Sequence, residues 1–184
     1  MHLKGAPAAI GSAIQFGAAM PASKLLLGQT DPWMLAGLLY LGSGIGLGTY
    51  RLAARMPGPK LSRKDVGWIA GAVLCGGVVA PVLLMFALRT MSASGAALLL
   101  NAEGVFTALL AWLIFREYIG RRVAIGMVFI AAGAIALSWP THAEPLGILP
   151  STLALAACLA WAIDNNLTRR VADLDATWVA AVAP

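Results

Sequence analysis

The run at 93–115, A-S-G-A-A-L-L-L-N-A-E-G-V-F-T-A-L-L-A-W-L-I-F, constrains this chain more than any other stretch. It is apolar except for small residues, Asn101, Thr107 and one acid, Glu103. About 20 such residues let a helix cross the ~30 Å hydrocarbon core of a bilayer, so the run is expected to be a membrane span. Glu103 then falls near mid-bilayer, where an ionised carboxylate is costly and is usually aimed at a cavity or a partner.

The rest of the chain fits that setting. Of 184 residues, 60% are hydrophobic and 11% charged, with a mean hydropathy of +0.81, whereas soluble domains carry about 25% charged residues. An integral membrane protein follows. The formal charge of +5 sits in short clusters between apolar runs, not in one stripe, which argues against a nucleic-acid partner. Cys75 and Cys158 lie inside apolar runs as small packing residues, and no C-x-x-C or His/Cys spacing is present, so neither a metal nor a cofactor is expected.

Further apolar segments fall at 6–28, 33–54, 66–88, 123–139 and 146–167, and a seventh begins at 176–184. The first is rich in Ala and Gly and carries Gln15 and Pro21. Ala18 and Ala19 imitate a signal-peptide cleavage site, but no soluble domain follows. G-S-G-I-G-L-G in the second lacks the third glycine of a dinucleotide fingerprint, and Gly42 with Gly46 and Gly44 with Gly48 are spaced to let a neighbouring helix approach closely. Pro81 in the third deprives its helix of a backbone bond and is expected to kink it.

With the amino terminus in the cytoplasm, alternate loops receive Lys4, then Arg51, Arg55, Lys60, Arg63 and Lys64, then Arg116, Arg121 and Arg122, then Arg169 and Arg170. Only Lys24 and Arg89 remain on the far side, the asymmetry of the positive-inside rule. A weak echo of Lys24, Asp31 and Trp33 in Thr168, Asp175 and Trp178 suggests that the chain begins again after five spans. Five is odd, so a second copy would be inverted, the plan of many secondary transporters with midplane sites.

The run L-L-N-A-E-G-V-F-T-A-L-L-A-W-L-I-F-R-E, its basic turn and the helix A-I-G-M-V-F-I-A-A-G-A-I-A-L resemble the end of the first repeat of EamA-type members of the drug/metabolite transporter (DMT) superfamily. Those members show L-E-P-V-F-A-A-L-L early in the fourth helix, a G-E after it, and a fifth helix ending in G-x-x-L-I-x-x-G. Glu103 and Glu117 match the two acids, and Gly126 and Gly133 match the fifth helix. A-C-L-A-W-A-I-D-N-N-L-T-R-R is similar to the opening of the second repeat, with Trp161 and Arg169 matching. Gly104 departs from the pattern, standing where the family usually has proline.

The resemblance implies an all-α polytopic membrane bundle. Residues 1–140 would form the first five-helix repeat and 146–184 the start of a second, inverted one. Members have ten helices, so a chain ending as the seventh begins is expected to be truncated. The implied function is secondary transport of a small metabolite or drug, in the plasma (bacterial inner) membrane, with the bilayer and a small-molecule substrate as partners.

Glu103 is the candidate proton carrier or substrate counter-charge, with Asn101 as a further candidate of the same site, or else a structural group bonded to Asn101 or to a carbonyl of another helix. Gln15 and Trp161 lie at comparable depth and could line the same cavity, although Trp is also common at lipid-facing positions. Asp164, Asn165 and Asn166 are expected at a helix end, paired with Arg169 and Arg170, with a gating site as the lesser reading; Glu117 is expected to pair with Arg121 or Arg122 on the surface, and Lys24 to snorkel outward. One alternative is an incomplete half-transporter, inactive alone or completed by a partner chain or by homo-oligomerisation through the glycine faces. A membrane enzyme is a third class. It finds no support, because His2 and His142 occupy terminal and loop positions with no catalytic or metal spacing around them.

Overall fold

Helix starts in this chain are set by side chains that satisfy the first free backbone N–H groups. The computed structural model describes residues 6–58, 61–116, 118, 120–138, 147–171 and 178–180. Helix α1 spans Ala6–Leu26 and α2 spans Pro32–Ala53. Asp31 caps α2 by accepting the Trp33 N–H at 2.9 Å, and Pro32 occupies the first position, where a missing N–H costs nothing. Helix α3, Arg63–Thr90, opens with a reciprocal capping box between Ser62 and Asp65. Ser92 caps α4 through the Gly95 N–H at 3.1 Å. Helix α4 comes in two pieces, Ala93–Leu99 and Ala102–Phe115, and α5 covers Arg121–Ser138. Helix α6, Ile148–Thr168, runs into a 3-10 turn at Arg169–Val171. Arg55 and Arg116, just past the ends of α2 and α4, adopt the left-handed conformation that stops a helix.

The fold is all-α among the described residues, as expected. Helices α3, α4 and α6 are long and apolar enough to cross a membrane. Helices α1, α2 and α5 stand where the sequence expects them, with 21, 22 and 18 residues. Of the expected seventh span only residues 178–180 are described, as helix. His2, Lys4, Lys60, Glu117, His142 and Asp175 lie outside the described residues.

Helix α6 is the central element, lying against all of α3 and both pieces of α4. It can do so because its inner face is small: Ala154, Ala157, Cys158 and Ala162 are fully buried, opposite Ala80, Leu84, Ala87 and Leu88 of α3. In hydrocarbon, association depends on such close packing, since apolar side chains gain nothing by leaving lipid. Large apolar residues correspondingly face outward, among them Ile45, Leu113 and Phe129. Close approach occurs at Gly71 and Gly76 of α3, where an added Cβ would press on Leu167 and collide with the Asp164 carboxylate. The glycines of α2 behave differently. Gly42, Gly46 and Gly48 face open space among the described residues, so no described helix approaches closely at these three positions.

Lys24 does not simply reach outward. Its Nζ donates to the carbonyls of Leu88 at 2.6 Å and Arg89 at 3.3 Å, tying α1 to the negative end of α3.

Candidate functional site

The centre of the molecule is defined by two interruptions, one in α3 and one in α4. In α3 the residues Val73–Val79 form a π-helix, ending where the Ala80 N–H bonds the Cys75 carbonyl five residues back. In that register the Gly76 carbonyl would accept from residue 81. Residue 81 is proline, which has no N–H, so the carbonyl is left without a helical donor. The indole Nε1 of Trp161 on α6 donates to it at 3.2 Å. The extra residue of the π-turn also explains why Gly71 and Gly76, five apart, both face α6. The kink expected at Pro81 is therefore realised as a widened turn just before it.

In α4 the Asn101 N–H bonds Leu98 at 3.2 Å and the Glu103 N–H bonds Leu100 at 3.1 Å, each three residues back. The Leu99 carbonyl loses its ordinary partner, the Glu103 N–H, and Cys158 Sγ of α6 donates to it at 3.4 Å. A second helical piece starts at Ala102 with Glu103 in its first turn, where the positive end of the helix dipole complements a carboxylate. The break forms although residue 104 is glycine and not proline.

Cys158 and Trp161, three residues apart, thus use one face of α6 to cap both interrupted helices. The next turn of α6 supplies the polar groups. Asn165 Nδ2 donates to Glu103 Oε1 at 2.8 Å and lies 3.4 Å from Thr107 Oγ1. Asp164, packed against Gly76, accepts from Thr168 Oγ1 at 2.9 Å. Asn166 is buried and donates to the carbonyls of Thr107 at 3.1 Å and Ala162 at 2.8 Å. Tyr40 of α2 is half-buried beside this cluster, with Trp161, Asp164 and Glu103 in its neighbourhood. Glu103 is only partly buried, so the cluster remains open on one side.

Glu103 and Trp161 therefore contribute to one cluster, joined along the face of α6. Asn101 points elsewhere, its exposed amide donating to Ala97 and Leu98 of its own helix at 3.2 and 3.1 Å. Gln15 is exposed on α1, and no described contact brings it to Glu103. Asn165 and Asn166 reach α4 instead of serving the helix end, where the Arg170 guanidinium lies 5.9 Å from the centre of the Trp68 ring. Sequence reasoning assigned no role to Thr107 or Tyr40 and did not foresee the bond from Asn165 to Glu103. Thr107 had a signal, since it stands one turn after Glu103; Tyr40 had none. Among the described residues no group of His, Cys, Asp and Glu comes together that could hold a metal. The cluster can accept a proton or bind an N–H-bearing or cationic group at Glu103, whose carboxylate is held by Asn165, the same amide that Thr107 Oγ1 accepts from.

Comparison with known proteins agrees with this membrane architecture. The chain is 28% identical over 176 residues to a protein of Methanothermobacter thermautotrophicus described as an uncharacterized transporter. That match takes in 87% of this chain and 51% of the relative, so the chain spans about half the relative's length. No solved structure matches. The model of the EamA-like transporter family matches residues 3–139, the greater part of the sequence, and the chain belongs to that family of integral membrane transporters.

Proposed function

We propose that the protein is a secondary transporter of small metabolites or drugs, working by alternating access around a midplane site near Glu103. The hydrogen bond from Asn165 to Glu103 at the interruption of α4 carries this reading. Transport sites in membranes recur where helices are broken, because irregular backbone is tolerated only where protein or a cavity satisfies it. In this reading Glu103 binds the substrate or the coupling proton. Asn165 yields its place to the incoming group, and Trp161 holds α6 to the widened turn of α3. Asn101 and Gln15 would join the site only in another conformation of the cycle. Residues 1–140 act as the first repeat and 146–184 begin an inverted second one, with the amino terminus in the cytoplasm of a plasma membrane.

The test is substrate-driven proton movement in proteoliposomes, read with an internal pH dye across a panel of amino acids, organic cations and sugars. Glu103→Gln, which keeps the shape and removes the charge, is expected to cut the response at least about tenfold while membrane insertion is unchanged. An unchanged response removes Glu103 from the mechanism. A second reading, that this chain is inactive alone and needs a partner or a second copy, is favoured by its covering half of its relative. Well-inserted chain that gives no flux in the same vesicles would be its signature.

A further inference from the structure

An apolar groove of about 520 Å³ runs between α4 and α5, away from the Glu103 cluster. One wall is the stripe Val105, Leu109 and Trp112 of α4; the other is Ala124, Val128 and Ala131 of α5. Both walls run towards the connecting turn, and both meet arginines there. On α5 the preceding position is Arg121, with Arg122 beside it, and on α4 the helix ends at Phe115 with Arg116 directly after it, at the start of the turn. All three are exposed, against one acid in the turn, Glu117. Arg121 and Arg122 also occupy the first turn of α5, the positive end of a helix, which disfavours cations and attracts anions. Tyr118, 90% exposed, edges the same end of the groove, as an amphipathic side chain does at a membrane–water interface.

We infer that this groove is a binding site for an anionic phospholipid, with one acyl chain between α4 and α5 and the phosphate held by Arg116, Arg121 and Arg122. The match is one of charge and of shape. From Val105 to Trp112 the wall is about 10 Å long, enough for the upper part of an acyl chain, and it leads to the three cations at headgroup depth. Guanidinium groups suit this role because they bind phosphate oxygens in pairs. A second copy of the chain fits less well, since copies sharing one orientation would bring their arginine ends together at the same depth.

Native mass spectrometry of the purified protein with added phosphatidylglycerol or phosphatidylcholine, matched in acyl chains, tests the site. Phosphatidylglycerol adducts are expected to be retained at least about tenfold over phosphatidylcholine, since each arginine near an anionic surface is worth about fivefold. Replacing Arg116, Arg121 and Arg122 with Gln should bring the two lipids to parity. Replacing Arg55, Arg63 and Lys64 with Gln removes equal charge elsewhere and should leave the preference intact. Val128→Trp, which fills the groove, should lower phosphatidylglycerol retention with the arginines in place. The inference is overturned by equal retention of both lipids in the native protein, or by loss of preference in both triple variants. It is equally overturned by a preference that survives Val128→Trp, which would mean headgroup capture alone, or by a dimer mass that Val128→Trp abolishes.

Discussion

At the scale of single residues, Trp161 shows how a site and a structural contact are joined. Its indole is the donor that satisfies the Gly76 carbonyl, which the helix itself leaves without one. Trp161→Phe keeps an aromatic, though smaller, side chain and removes the donor, so a part-buried carbonyl loses its partner at a cost of about 1–3 kcal/mol. A lowered midpoint in thermal unfolding of the detergent-solubilised protein is the expected outcome; an unshifted midpoint would mean that the carbonyl finds another donor. Glu103 stands apart. Asn165 holds one of its carboxylate oxygens, and a change such as Glu103→Gln is expected to act on flux more than on stability.

At the scale of elements, α3 is governed by Pro81. The missing N–H leaves Gly76 unpaired in the π-register, and Trp161 answers it across the interface. Pro81→Ala returns a donor to that position. Trp161→Phe should then cost less, and a double-mutant cycle should show coupling of about 1 kcal/mol between the two positions. Effects that simply add would separate the π-turn from the tryptophan. The same logic holds for α4, where the Leu99 carbonyl is answered by Cys158, so α6 keeps two interrupted helices in register through side chains one turn apart.

At the scale of the whole molecule, the distribution of bases sets the orientation we propose. In a cysteine-free background, Gly58→Cys in the basic loop after α2 should resist a membrane-impermeant maleimide in intact cells and react after permeabilisation. Gln29→Cys, in the turn between α1 and α2, should react from outside. Both positions are exposed, so reactivity reports sidedness and not burial. The reverse pattern would invert the orientation.

Much of the fold was legible because hydrocarbon imposes a strong one-dimensional constraint. Apolar length alone put helices at 33–54, 66–88 and 146–167, and these stand as Pro32–Ala53, Arg63–Thr90 and Ile148–Thr168. The ends differ by a few residues because capping by Asp31 and Ser62, which hydropathy does not register, sets them. Glu103 stood out for the same reason: a lone acid in an apolar run is conspicuous in sequence. Its partners were not. Asn165 lies 62 residues away, and its choice of Glu103 over the arginines after α6 depends on the rotation of α6 against α4. That rotation is set by the close fit at Gly76 and by two carbonyls left open by helix interruptions. The sequence by itself thus determined a membrane-spanning helical chain with one acid in the apolar run at 93–115, because length and hydropathy act locally. Only the tertiary structure decided what that acid meets, because the contact depends on how three helices, distant in sequence, turn their faces to one another.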